Sequence, residues 1–166
     1  MSKVLRIDFG PITPDNVEQL RKINVACFPI LYNDGFYKDV ITGWGSEGLN
    51  KFAYWNGFVV GAVCARREQL GKGRDRLYIM TLGVLAAYRG RQVGTQLIQS
   101  ILDYYQEQKD RELSTVDEIA LHVQISNDDA IKFYTTRFGF VQGDMVENYY
   151  RRIDPPHCYL LYKKLR

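Results

Sequence analysis

Apolar and polar residues alternate along this chain with two different periods, and each change of period marks an element. Residues 4–9 alternate apolar with charged side chains and predict a short strand closed by Gly10-Pro11. Thr13 has the character of a helix N-cap with Pro14 in the first helical position, and Val17, Leu20, Ile23 and Cys27 recur at helical spacing until Pro29 stops the helix. A second short helix is predicted from Asn33, as its cap, through Phe36, Tyr37, Val40 and Ile41, before a glycine-rich loop over residues 42–48. Residues 51–55 and 58–66 are β-rich, and the Asn56-Gly57 pair between them accepts the positive φ angles of a tight hairpin, so those strands should be antiparallel.

After a loop over residues 69–75, residues 77–85 are almost wholly apolar, as a strand covered on both faces requires. Leu97, Ile98, Ile101, Leu102 and Tyr105 form one stripe of a helix over residues 93–108, which a charged loop, residues 109–117, closes. Ile119, Leu121 and Val123 then alternate with Ala120, His122 and Gln124, which puts His122 on the strand face opposite the aliphatic trio. Ser126 is the expected cap of the next helix, with Asp129 three residues on, and Gly139 marks its end. Residues 138–141 and 158–165 give the last two strands, flanking a loop over residues 143–156. The pattern predicts one α/β domain, residues 1–166, without repeat or internal boundary.

Composition narrows the class. With 46% hydrophobic and 25% charged residues the chain can build a core and is not disordered. A net charge of +3 is too small for a dedicated DNA binder that relies on a strong basic field. Cys27, Cys64 and Cys158 are odd in number and widely spaced, which favours a reducing, cytoplasmic setting over a disulfide framework or a thiolate zinc site. His157 and Cys158 are adjacent but lack further ligands at metal spacing, so no metal is expected. The first residues carry no apolar signal core, and no uncharged run approaches the roughly 18–20 residues of a membrane span.

The most informative stretch is the strand-to-helix junction Leu85-Ala86-Ala87-Tyr88-Arg89-Gly90-Arg91-Gln92-Val93-Gly94-Thr95. A glycine-containing turn entering a helix presents free backbone N–H groups and the positive end of the helix dipole, which suit a phosphate or pyrophosphate, and Arg89 and Arg91 add charge. Spacing alone leaves an ordinary surface turn open as the alternative. Taken alone, His122 reads as a strand histidine satisfied by its neighbours, and Tyr78 as a core aromatic whose hydroxyl finds a partner.

The run Arg89-Gly90-Arg91-Gln92-Val93-Gly94 resembles the Arg/Gln-x-x-Gly-x-Gly/Ala acetyl-CoA motif of the GNAT superfamily, with Gln92 where the motif has its first glycine. Phe28-Pro29-Ile30-Leu31-Tyr32, Arg76-Leu77-Tyr78-Ile79-Met80-Thr81-Leu82-Gly83, Leu121-His122-Val123-Gln124-Ile125-Ser126-Asn127 and Asn148-Tyr149-Tyr150-Arg151-Arg152-Ile153 resemble, in the same order, the NatE-type protein N-alpha-acetyltransferases of that superfamily. The resemblance covers residues 7–164 and implies the GNAT fold, an α/β (α+β) mixed twisted sheet of about seven strands flanked by about four helices. It implies transfer of an acetyl group from acetyl-CoA to protein N-terminal amines, Met-starting chains preferred, by direct attack in a ternary complex.

Position by position, the resemblance makes Tyr78 and His122 the residues that deprotonate the substrate amine through an ordered water. A reference pKa of about 7.7–8.0 for an α-amine means that a weak base suffices. Acetyl-CoA is implied to contact the backbone at Leu82 and Val84, the turn Arg89, Gly90, Arg91, Gln92, Val93, Gly94 and Thr95, and the side chains of Asn127 and Tyr134. Phe28, Pro29, Ile30, Tyr32, Met80, Tyr149, Tyr150 and Ile153 are the implied peptide-binding wall, suited to an apolar first residue. The implied partners are protein N-terminal peptides and the catalytic and auxiliary subunits of NatA at the ribosome, with no direct contact to nucleic acid or membrane. Two alternatives stay open: a weak or inactive acetyl-CoA-binding subunit of a larger ribosome-associated assembly, and a GNAT enzyme acting on a small amine.

Overall fold

The computed structural model of the chain describes residues 3–42 and 48–166. Its strands are β1 (Asp8–Pro11), β2 (Lys51–Trp55), β3 (Phe58–Gly71), β4 (Arg74–Val84), β5 (Val116–Gln124), β6 (Val141–Val146) and β7 (Cys158–Lys164). Its α-helices are α1 (Val17–Cys27), α2 (Asp34–Thr42), α3 (Val93–Gln108) and α4 (Asp128–Lys132). The strands hydrogen-bond in the order β1-β2-β3-β4-β5-β7-β6, in a mixed sheet where β4 and β5 run parallel and β5, β7 and β6 pair antiparallel.

Two compact units divide this chain, and β3 and β4 each pass through both. The first holds residues 1–67 and 79–114. Its core joins one face of α1 (Val17, Leu20, Ile23) and of α2 (Phe36, Tyr37, Val40) to Phe52, Ala62 and Cys64 of the sheet. These are the positions that helical spacing assigns to the buried faces. The second holds residues 68–78 and 115–166. Its sheet pairs β5 with β7 over seven residues, from Glu118 opposite Lys164 to Gln124 opposite Cys158.

The Asn56-Gly57 hairpin forms as expected, both residues at positive φ (48° and 81°). Helix α3 has the predicted limits. Several boundaries differ. The first strand covers Asp8–Pro11, not residues 4–9: the preceding segment is held instead by Leu5 N–H on the Arg91 carbonyl (3.2 Å) and Gln96 Nε2 on the Leu5 carbonyl (2.8 Å). Pro11 is tolerated because β1 lies at the sheet edge. Thr13 opens a turn and Asn16 occupies the N-cap of α1, while Phe28 leaves the helix extended, as a residue before proline must. Asn33 caps α2 as expected, Oδ1 accepting the Phe36 N–H at 3.0 Å. Of the glycine-rich loop expected over residues 42–48, residues 43–47 lie outside the described residues, Thr42 is the last residue of α2, and Gly48 has a positive φ of 89°.

The expected loop over residues 69–75 is largely strand. β3 and β4 continue to a two-residue turn, Lys72-Gly73, where positive φ at both positions (55° and 71°) makes a second tight hairpin. Asn127, not Ser126, caps α4, its Oδ1 accepting the Ala130 N–H at 3.2 Å. A π-helical turn, Phe133–Arg137, then carries the chain to Gly139 (φ 72°). β6 begins at Val141, not at residue 138, because Phe140 N–H still bonds the Tyr134 carbonyl (3.1 Å) and Phe138 and Phe140 are buried beside the helix end.

Candidate active site

Tyr78 and His122 belong to the second unit, and the parallel pairing of β4 with β5 brings them together. Tyr78 lies opposite Ala120, and His122 is two residues further along the same face of β5, a diagonal neighbour. Ile119, Leu121 and Val123 point into the core while His122 is half-buried on the other face, as alternation requires. Tyr78 Oη and His122 Nδ1 are 2.5 Å apart, a direct hydrogen bond. The water expected between them therefore has no place on that line.

Tyr149 completes the cluster. Its hydroxyl is 3.2 Å from Tyr78 Oη, its ring stacks on the His122 ring, and Tyr150 meets it edge-on with centroids 4.9 Å apart. The loop carrying these tyrosines is tied down by Asn148 N–H on His157 Nδ1 (3.0 Å), Tyr150 N–H on the Pro156 carbonyl (2.8 Å) and Gln124 Nε2 on the Pro155 carbonyl (2.8 Å). Ile153, half-buried, lies in the same loop.

Electrostatics keep the couple neutral. Burial, then the hydrogen bond and proximity of Tyr149, push the Tyr78 phenol far above its ordinary range, so it stays protonated. Burial lowers the His122 imidazole from 6.5, the positive charge of Arg76 lowers it further, and Glu68 opposes both. A neutral imidazole has one lone pair. For Nε2 to be basic, Nδ1–H donates to Tyr78 Oη and the phenol passes its own hydrogen to Tyr149 Oη; the distances admit that chain.

The first unit holds the turn expected to bind an anion. After β4 a short 3₁₀ turn, Ala86–Tyr88, leads through Gly90 (φ 72°) to Gln92, which caps α3 in the left-handed region (φ 65°, ψ 22°). A Cβ at Gly90 would meet nothing within 4 Å, and the Gln92 side chain is exposed, so the turn is open to an approaching group. The N–H groups of the first helical turn, among them those of Val93, Gly94 and Thr95, have no acceptor within the helix. Arg89 Nε donates to the Val84 carbonyl (2.8 Å) and Arg91 Nε to the Lys3 carbonyl (3.2 Å). The residues fit a pyrophosphate by donor type and by space.

The same unit holds the apolar residues expected to face a peptide. Tyr32 and Met80 pack on its core, Phe28 meets Tyr32 edge-on, and Pro29 is exposed beside half-buried Ile30. Gly83 packs closely here: a Cβ would come within 3.2 Å of Ile23 Cγ2 and 3.3 Å of Phe28 Cζ, so those side chains would have to shift by a few tenths of an ångström to admit one. Leu82 and Val84 lie on the same, half-buried face of β4 as Met80. In the second unit Asn127 is exposed at its cap, and Tyr134 is buried between Phe133 and Phe140, where desolvation raises its pKa. A phenol so held donates a hydrogen bond more readily than a whole proton.

Glu68 and Arg76 are the residues beside the couple that the sequence reading leaves without a role. The signal that finds them is Lys72-Gly73: read as a tight turn, it folds β3 back on β4 and brings residue 68 towards residue 76.

The chain belongs to the acetyltransferase (GNAT) family, whose model matches residues 17–140. Over 161 residues it is 45% identical to N-alpha-acetyltransferase 50 of Danio rerio, covering 97% of this chain and 90% of that protein. It is 46% identical over 160 residues to the probable N-acetyltransferase san of Drosophila melanogaster, covering 96% of this chain and 82% of the relative. Among solved structures it is similar to Arabidopsis thaliana Naa50 in complex with the bisubstrate analogue CoA-Ac-MVNAL, with a TM-score of 0.83, 41% identity, and 95% and 97% of the two chains covered.

Proposed function

We propose that this chain is a protein N-alpha-acetyltransferase that transfers the acetyl group of acetyl-CoA to the N-terminal amine of proteins, preferring those that start with Met. The observation that carries the reading is the directly bonded, neutral Tyr78–His122 couple with Tyr149 against it. It stands in a chain 41% identical to a protein whose solved structure holds CoA joined to an acetylated peptide.

Acetyl-CoA supplies an activated acetyl thioester. The N–H groups and arginines of the 89–95 turn bind its pyrophosphate, the backbone at Leu82 and Val84 its pantetheine and thioester carbonyl, and Asn127 and Tyr134 assist. Phe28, Pro29, Ile30, Tyr32, Met80, Tyr149, Tyr150 and Ile153 hold the peptide, the apolar side chains taking its first residue and the tyrosine hydroxyls its backbone. Part of an α-amine population is already neutral at pH 7, its reference pKa being about 7.7–8.0, and His122 takes the remaining proton as the new amide bond forms, directly or through a flanking water. The leaving sulfur accepts a hydrogen bond from Tyr134.

Two finer points belong to this reading. The four blocks shared with NatE-type enzymes support association with the catalytic and auxiliary NatA subunits at the ribosome, which co-purification from the native cell tests. Three free cysteines support a cytoplasmic location. No described helix is long and apolar enough to cross a membrane.

A peptide array with acetyl-CoA tests cofactor, reaction and acceptor together. Met-Leu starts should be acetylated much faster than Asp-Asp starts; equal rates would remove the apolar-pocket argument. Gln92 favours one second reading, a weakly binding accessory subunit, because a side chain stands where the motif has glycine. Acetyl-CoA titration separates the two: saturable binding together with turnover of the Met-Leu peptide rejects the accessory reading.

A further inference from the structure

We propose that Glu68 and Arg76 are positioning residues for the Tyr78–His122 couple, Glu68 holding the Arg76 guanidinium over the face of the Tyr78 ring so that the phenol keeps its hydrogen bond to the imidazole. The inference rests on the function proposed above and deepens it. Arg76 precedes Tyr78 by two residues on β4, so both side chains leave the sheet on one face. Nε and Nη2 of Arg76 each reach Glu68 Oε1 at 3.0 Å, and the guanidinium carbon is 5.3 Å from the Tyr78 ring centroid, within the range of a cation–π contact. The side chains of Arg76 and Glu68 are only 19% and 22% exposed, so the pair is far less screened than an ordinary surface ion pair.

The same two charges reach the imidazole with opposite signs: Arg76 disfavours its protonated form and Glu68 favours it. Other groups near the ring are Tyr78 on β4 and Tyr149 and Tyr150 from the loop. On β7, Leu160 lies opposite His122, with Cys158 and Tyr162 its neighbours on that face; on β5 itself Glu118 and Gln124 share the face of His122. Glu118 lies opposite Arg76 in the β4–β5 register. Of these, Arg76 and Glu68 are the charges that act on the ring, so changing one at a time separates their effects.

The experiment follows the His122 imidazole by NMR titration, and kcat/KM against pH, in Arg76→Gln, Glu68→Gln and Arg76→Lys. The chain has two histidines, and the signal lost in His122→Phe assigns the one that matters. Arg76→Gln should raise the His122 midpoint and move to higher pH the lower acid limb of kcat/KM, the one below the fall set by the substrate amine. Glu68→Gln should lower both. Each shift should be about half a pH unit, less than the 1–3 units of a close charge because the pair is partly solvated. Both changes should lower kcat severalfold, and Arg76→Lys, which keeps the charge, should hold the wild-type midpoint. Midpoints that stay fixed, or move the same way, in folded Arg76→Gln and Glu68→Gln would overturn the proposal and leave the pair a structural clasp. If Arg76→Gln does not fold, Glu68→Gln and Arg76→Lys decide by the same criteria. Failure of the wild type to acetylate any peptide would remove the proposed function, whereas the NMR titration judges the positioning role independently.

Discussion

The ring of Tyr149 stacks on that of His122, 25° from parallel with centroids 4.4 Å apart. A residue expected only to grip the peptide is thereby packed into the Tyr78–His122 cluster, because its hydroxyl also reaches Tyr78. Stacking and hydrogen bonding separate in two variants. Tyr149→Phe keeps the ring and ends the hydroxyl chain at Tyr78, so kcat should fall by up to about tenfold, the usual worth of one neutral hydrogen bond, with peptide KM little changed. Tyr149→Ala removes the ring as well and should raise peptide KM. Equal effects of the two on both constants, in steady-state assays, would return Tyr149 to the wall alone.

Tyr78→Phe and His122→Phe test the couple itself. Each keeps an aromatic ring, in a buried place at Tyr78 and a half-buried one at His122, and removes the group that bonds its partner. If His122 is the base, kcat should fall by about 10²-fold or more in His122→Phe, the general-base range, with acetyl-CoA affinity unchanged by calorimetry. Tyr78→Phe should lose less, because the imidazole survives but its orientation and tautomer are no longer fixed. Near-normal kcat in both folded variants would leave positioning and the amine's own pKa to explain the rate.

How far such a cluster can be read from sequence depends on the range of the interaction. Helix α3 and the Asn56-Gly57 hairpin were legible to the residue because each is set by local pattern and φ preference. His122 on the face away from the aliphatic trio was legible for the same reason. The direct Tyr78–His122 bond was not, since no periodicity reports the register between β4 and β5. Lys72-Gly73 does not stand out as a hairpin because polar residues flank it; exposed strand ends lack the apolar alternation that marks a strand, and the Glu68–Arg76 pair is hidden with it. Ser126 and Asn127 are both good caps, and only the backbone shows that Asn127 holds the position.

His122 also sets a pH signature. Its pKa is below 6.5 in the fold, because burial and Arg76 disfavour the charged form, so the imidazole is neutral at pH 7. kcat should hold on acidification until the pH passes below 6.5 and then fall. kcat/KM should begin to fall earlier, near the amine's own pKa of about 7.7–8.0, and that upper limb should move when the peptide amine is made less basic. Stability has the matching sign. Between the folded and unfolded pKa values the unfolded chain binds more protons, so the stability His122 contributes is present above pH 6.5 and is lost as pH falls through the folded value. The drop in Tm on acidification, by calorimetry, should be smaller in His122→Phe than in the wild type.

Gln92 carries the clearest backbone argument in the turn. It sits at φ 65° and ψ 22° with no side-chain capping bond, a conformation in which an L side chain crowds the following carbonyl at a cost of about 1–2 kcal/mol that glycine avoids. Gln92→Gly should therefore raise Tm, by about 2–4 °C per kcal/mol for a chain of this size, even though glycine has more freedom to lose on folding. Acetyl-CoA affinity is a separate readout, because a Cβ in a turn whose N–H groups face a pyrophosphate also limits how near the phosphates come. Tighter binding together with a higher Tm would mean that the side chain both strains the turn and holds the ligand off. A higher Tm with unchanged affinity would show that the exposed Gln92 side chain points away from the phosphates, so that the motif's glycine serves the φ angle alone.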